Sequence, residues 1–139
     1  MGHTCKAIVI HCMDFRFGKS LFAFLTEKGL LGKADIVGWA GAGKPCCDGE
    51  QKHFPLTQIG LSKQLHHIQE VHVIQHIDCG AYGGSAVFAG KDQELAFQIS
   101  ELQKIKKSIV ALYPDLTLHG YIAELQSDGD VQVTEMELA

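Results

Sequence analysis

Three short apolar runs, each followed by a segment of helical period, constrain this chain most. The runs are Lys6–Cys12 (KAIVIHC), 34–41 (ADIVGWAG) and 70–79 (EVHVIQHIDC). They are rich in Val and Ile, and in the first no polar side chain interrupts Ala7–Ile10, as in a strand buried on both faces. Residues 18–31 carry Leu21, Phe22, Leu25 and Leu30 on one helical side, with Gly29 and Gly32 near the stop. Residues 56–70 carry Leu56, Ile59, Leu65 and Ile68, and residues 92–113 carry Leu95, Ile99, Leu102, Ile105, Ile109 and Leu112. Pro114 ends the last helix. Strand and helix alternating in this way give a parallel sheet covered by helices. The segments 116–125 and VQVTEMEL, joined by SDGD, read as a terminal hairpin, and 44–55 reads as a loop. The predicted fold is α/β and three-layered, with a mainly parallel central sheet of about 4–5 strands flanked by helices.

A length of 139 residues is that of one domain, 1–139, large enough to bury a core. The chain is 46% hydrophobic and 20% charged, a globular rather than a disordered balance. A net charge of -4 without a long Lys/Arg run excludes a nucleic-acid surface. No run is long enough to span a membrane, and the first residues do not form a signal peptide. The expected location is cytoplasmic, where five cysteines are not a disulfide framework and their thiols stay free for other chemistry.

Two strand ends carry that chemistry. CMDFR closes the first strand with Cys12, Asp14 and Arg16, and HIDC closes the third with His76 and Cys79. Open parallel sheets place their sites beyond the carboxyl ends of strands, where the strand order reverses. Two thiolates and one imidazole suit zinc, and three protein ligands leave a fourth position open for catalysis. Period-two alternation points Cys12, Asp14 and Arg16 the same way. Asp14 is then either a fourth ligand that closes the site or an acceptor beside it, aimed by a bidentate pair with Arg16.

Two other features attract attention. GWAGAGKP (38–45) is a near match to a phosphate-binding loop. However, Pro45 supplies neither the magnesium-binding hydroxyl nor a backbone N–H, so nucleotide binding is not expected. Adjacent Cys46 and Cys47, like Cys5, suggest no role.

Cys-x-Asp-x-Arg followed by His-x-x-Cys-Gly resembles the beta-class carbonic anhydrases. ADIVGWAGAG is similar to that family's second strand and glycine-rich turn, and LYPDLTLHGYIAELQSDGDVQV to its final strands. The resemblance covers nearly the whole chain. It implies a zinc lyase that converts carbon dioxide reversibly to bicarbonate through a metal-bound hydroxide. Cys12, His76 and Cys79 would be zinc ligands, Asp14 and Arg16 the catalytic dyad, and the protein a homodimer or higher homo-oligomer. Where the family commonly has Arg-Asn-Ala-Gly, this chain has Gly38-Trp39-Ala40-Gly41. An apolar pocket around Trp39, Phe15 and Tyr82 would favour carbonyl sulfide or carbon disulfide, and a zinc site closed by Asp14 would be non-enzymatic. His11, His53, His66, His67 and His72 are the candidate proton carriers.

Overall fold

The computed structural model describes residues 2–139. Its elements are β1 (Ala7–Cys12), α1 (Gly18–Glu27), β2 (Ala34–Trp39), α2 (His53–His66), β3 (Glu70–His76), α3 (Lys91–Leu112), β4 (Thr117–Leu125) and β5 (Val131–Met136). The five strands form one sheet in the order β2-β1-β3-β4-β5. The first four are parallel, and β5 returns antiparallel against β4. After β1 the chain crosses to β2 on one side, then passes back to β3 on the other. The order therefore reverses between β1 and β3, and a crevice opens at their carboxyl ends.

Period-two alternation gives this sheet two cores. Ile8, Ile10, Val71 and Val73 pack with Ile59 of α2 and Leu102, Ile105 and Ile109 of α3. Ala7, Val9, Ile74, Tyr121 and Ala123 pack on the other face with Phe24 and Leu25 of α1. Helices thus cover both faces, which is why Ala7–Ile10 show no polar alternation. Three members of the apolar stripes stay outside, since Phe22 and Leu65 are each 60% exposed and Leu112 is 54% exposed.

The segment 44–55 is less of a loop than its composition suggests. Lys44–Cys47 forms a 3-10 turn that buries Cys46, and α2 begins at His53, ahead of the residue 56 start read from the apolar stripe. Pro55 lies in the first turn of α2, where a missing N–H leaves no helical bond unmade. The strand read as 70–79 ends at His76, and its last three residues enter a tight loop.

One buried histidine in this frame couples folding to pH. His72 is 5% exposed; the Tyr121 hydroxyl donates to its Nδ1 at 2.8 Å, and its Nε2–H donates to Glu70 at 2.9 Å. Burial pushes its pKa down, against the pull of Glu70. An unfolded His titrates near ~6.5, so the unfolded chain binds the extra proton first. The contribution is complete above that value and is lost as pH falls through it toward the lower folded pKa. Urea midpoints should therefore fall between about pH 7 and 5.5, and His72→Gln should flatten that part of the profile.

Candidate metal centre

Cys12 is the last residue of β1 and His76 the last of β3, so the crevice between these strands brings them together. Cys79 follows in the loop after β3. The Cys12 and Cys79 sulfurs and a His76 ring nitrogen all lie within 4.8 Å of one another. His76 is 2% exposed and its Nδ1–H donates to the Ile77 carbonyl at 2.9 Å. Its Nε2 is buried and has no hydrogen-bond partner among the described residues. Leaving such an atom unpaired costs about 1–3 kcal/mol, and a metal ion at this position would satisfy it. The two thiols are shifted in opposite directions, since the contact with Cys12 and then burial raise the Cys79 pKa. A hydrogen bond from Cys79, outweighing burial, lowers the Cys12 pKa, so the pair carries a thiolate readily. The donor set and the orphaned nitrogen both fit zinc.

Asp14 reaches this centre by a route other than strand alternation. β1 stops at Cys12, and Asp14 is the N-cap of a 3-10 turn, Phe15–Phe17. Its carboxylate accepts the Arg16 backbone N–H at 3.0 Å and the guanidinium at 2.7 Å (Nη2) and 3.1 Å (Nε). Arg16 holds the Asp14 pKa down to about 2, against the effect of burial. Asp14 Oδ2 stands 3.9 Å from His76 Nε2, beside the three converging donors.

Arg16 is held from its far side by a residue that carried no signal of its own. Its Nη1 pairs with Asp78 Oδ2 at 3.1 Å, and its Nη2 donates to the Asp78 carbonyl at 3.0 Å. Asp78 adopts a left-handed backbone conformation, φ 64°, between the two donor residues of the loop. Glu94, 2% exposed in the first turn of α3, accepts the Asp78 N–H at 2.8 Å and the Ser85 hydroxyl at 2.7 Å. An acidic residue in a first helical turn is the one hint the sequence offered for it. Replacing Glu94 with Ala strands both donors and should cost about 3 kcal/mol, read as a lower denaturation midpoint.

A pocket of about 110 Å³ opens beside the donors. Cys12, Asp14 and His76 line it together with Met13, Phe15, Phe17, Leu21, Phe24 and Val133. Phe15 is where the sequence reading put it, but Trp39 and Tyr82 are not in this wall. Trp39 packs edge-on against Phe54 of α2 at 5.9 Å, and its indole N–H donates to the Ala42 carbonyl. Tyr82 turns to Phe97 and the Gln75 side chain. Gly38 has a steric role, because a Cβ there would meet the His11 ring at 2.4 Å. His11 borders the pocket, whereas His53, His66, His67 and His72 do not.

In the glycine-rich turn, backbone donors are engaged within the chain. The Gly43 N–H is bound to Gln75 Oε1 at 2.8 Å, and the Lys44 N–H to the Gly41 carbonyl at 2.9 Å. A Cβ on Gly43 would meet Ile105 at 2.6 Å, so this glycine serves close packing. Cys46 is fully buried, and burial pushes its pKa up to about 12. All five cysteines are free. Among the described residues, no helix is long and apolar enough to cross a membrane.

Comparison with known proteins agrees with this architecture. Uncharacterized proteins of Rickettsia conorii and Rickettsia bellii are 26% and 25% identical to 94% of this chain, which corresponds to 72% and 82% of theirs. A tetrameric beta-carbonic anhydrase from Sordaria macrospora superposes with a TM-score of 0.61 at 11% identity, over 98% of this chain and 84% of that one. Beta-carbonic anhydrase isoform I of Trichomonas vaginalis gives 0.59 at 15% identity, over 95% and 83%. The Aspergillus fumigatus beta-carbonic anhydrase gives 0.53 at 15%, over 96% and 76%. These likenesses establish the fold. A family model described as "Putative carbonic anhydrase" matches residues 2–132, nearly the whole chain, and this protein belongs to that family as a divergent, beta-carbonic-anhydrase-like member.

Proposed function

We propose that this chain is a single-domain zinc lyase, a carbonate dehydratase that hydrates carbon dioxide reversibly to bicarbonate. The observation that carries the reading is the buried, unpaired His76 Nε2, which converges with two thiols beside a pocket of only about 110 Å³. Ordinary ligand pockets span roughly 300–1,000 Å³, so this one suits a very small, apolar substrate. Cys12, His76 and Cys79 would hold the ion. Zinc, when bound, lowers the pKa of water to about 7 and so supplies a nucleophile at neutral pH. Asp14, kept ionised and fixed by Arg16, accepts a hydrogen bond from the attacking water and orients its lone pair toward the substrate carbon. Phe17, Leu21 and Phe24 hold the substrate and limit competing solvent. His11, at the pocket edge, is the best placed of the histidines to pass the released proton outward.

The clamp of Arg16 on Asp14 favours an open, reactive centre over a closed, non-enzymatic one. Exposed Met13 (70%) and Phe15 (89%) beside the same mouth suit burial by a second copy, and a homodimer or higher homo-oligomer is part of the proposal. Five free cysteines suit a cytoplasmic location. The apolar wall also suits carbonyl sulfide and carbon disulfide. The test is therefore stopped-flow carbon dioxide hydration by the zinc-loaded chain, with hydrolysis of both sulfur compounds measured in parallel. Zinc-dependent hydration supports the reading. Hydrolysis without hydration replaces the substrate, and neither reaction with zinc bound leaves a binding domain.

A further inference from the structure

We propose a second zinc site at the opposite end of the sheet, formed by Cys5, Asp35 and His66. Cys5 precedes β1, Asp35 lies at the start of β2, and His66 closes α2. With a rise near 3.3 Å per residue, Cys5 lies about 23 Å along the chain from Cys12, so the two sites would share no ligand. A thiol sulfur, a carboxylate oxygen and a ring nitrogen from these residues lie within 4.8 Å of one another. All three residues are half-buried, which leaves an ion a path from solvent.

The frame of this cluster is main chain. The Cys5 N–H donates to the His66 carbonyl at 3.0 Å, and the Lys6 N–H to the Lys33 carbonyl at 3.3 Å. Those bonds tie the segment before β1 both to the end of α2 and to the residues leading into β2. Asp35 and His66 are then positioned by each other, while the Cys5 thiol donates to the Ala7 carbonyl at 3.6 Å. Asp35 Oδ2 lies 2.7 Å from His66 Nδ1 and accepts the hydroxyl of buried Ser62 at 2.6 Å. The His3 ring lies 4.9 Å from that of His66, centroid to centroid.

Donor chemistry selects the ion. A thiolate beside an imidazole and a carboxylate suits zinc, whereas magnesium and calcium call for oxygen ligands alone. On binding, the Cys5 thiol proton leaves to solvent, and the His66 hydrogen moves from Nδ1 to Nε2 by tautomer exchange, which frees Nδ1 for the ion beside the Asp35 carboxylate. Ser62 keeps its bond to Asp35 and orients it from behind. A third cluster, Glu70, His72 and His119, has similar spacing, but both His72 nitrogens are already engaged by Glu70 and Tyr121 behind α1.

The test loads the full chain with zinc, removes unbound metal by gel filtration and counts ions per chain. Two ions are expected in the unaltered protein and one in Cys5→Ser, which keeps its activity. One ion is expected in Cys12→Ser, and cobalt there should still give a thiolate charge-transfer band that disappears when Cys5→Ser is added. Ser62→Ala should weaken the second ion about tenfold. In the unaltered protein, zinc should protect Cys5 from alkylation, a readout that needs no substitution. The proposal is overturned if Cys5→Ser leaves the ion count unchanged, or if zinc leaves Cys5 alkylation unchanged. A single ion lost only in Cys12→Ser also overturns it and leaves the proposed function standing. A single ion lost only in Cys5→Ser supports this site and removes the first one.

Discussion

His76→Ala is expected to abolish carbon dioxide hydration and to release the ion held with Cys12 and Cys79. In the proposed site the imidazole would be the one neutral ligand, and neither neighbouring thiol could take over its position. Loss of a group that merely supports a ligand costs about 10–100-fold in metal affinity, so loss of the ligand itself should exceed the upper end of that range. Stability separates this result from simple misfolding. An ion that binds only the folded chain stabilises it by about 2.7 kcal/mol at a hundredfold excess over Kd. Zinc should therefore raise the melting temperature of the unaltered protein but not through this site in His76→Ala. Removing the imidazole also deletes its contact with Phe17, whose ring centroid is 4.3 Å away, and the buried nitrogen that lacks a partner. These effects oppose each other, so the metal-free variant should stay folded. Full zinc-dependent stabilisation or retained hydration in His76→Ala would count against the ligand assignment.

Arg16→Ala is expected to lower activity by about 10²–10⁴, the range for losing a positioned acid–base group, while leaving the ion bound. Arg16 holds Asp14 through two side-chain nitrogens and Asp78 through two more contacts, so one substitution removes the guanidinium from both carboxylates and leaves each only a backbone N–H. Charge and orientation can be told apart. Without Arg16 the Asp14 pKa should rise from about 2 toward the ordinary carboxylate value, which still leaves it ionised at neutral pH. The lost activity should then not return on raising the pH, because position rather than ionisation was lost. Asp14→Ala should fall by a similar factor, and the double variant should be little worse than either single one. Arg16→Lys should restore little, since an ammonium cannot make the forked contact. Additive losses in the double variant would show that the two residues act independently.

Much of this arrangement was legible in the sequence because it rests on periodicity. The alternation of buried strands with amphipathic segments required helices on both faces of a parallel sheet. The polar groups at the ends of the first and third runs then had to lie at its carboxyl edge. Cys12 could be grouped with His76 and Cys79 on that basis, given that the first and third strands are neighbours, as the strand order shows. What failed was finer. Alternation along CMDFR gave the correct partners for the wrong reason, since β1 ends at Cys12 and Asp14 meets Arg16 by capping a 3-10 turn. Trp39 was expected in the pocket, yet it faces α2, and only Phe15 of the three named aromatics lines the wall.

By itself the sequence determined the layers, the mainly parallel sheet and the two strand ends that bear thiols, because hydrophobic period and strand ends are local properties. Tertiary structure decided what depends on contacts between distant segments. Arg16 meets Asp78 across 62 residues, Glu94 fastens the Asp78 loop from another helix, and Cys5 meets Asp35 and His66 at the far edge. No local pattern encodes those meetings. They follow from strand order and register, which place side chains from separate segments within hydrogen-bonding reach.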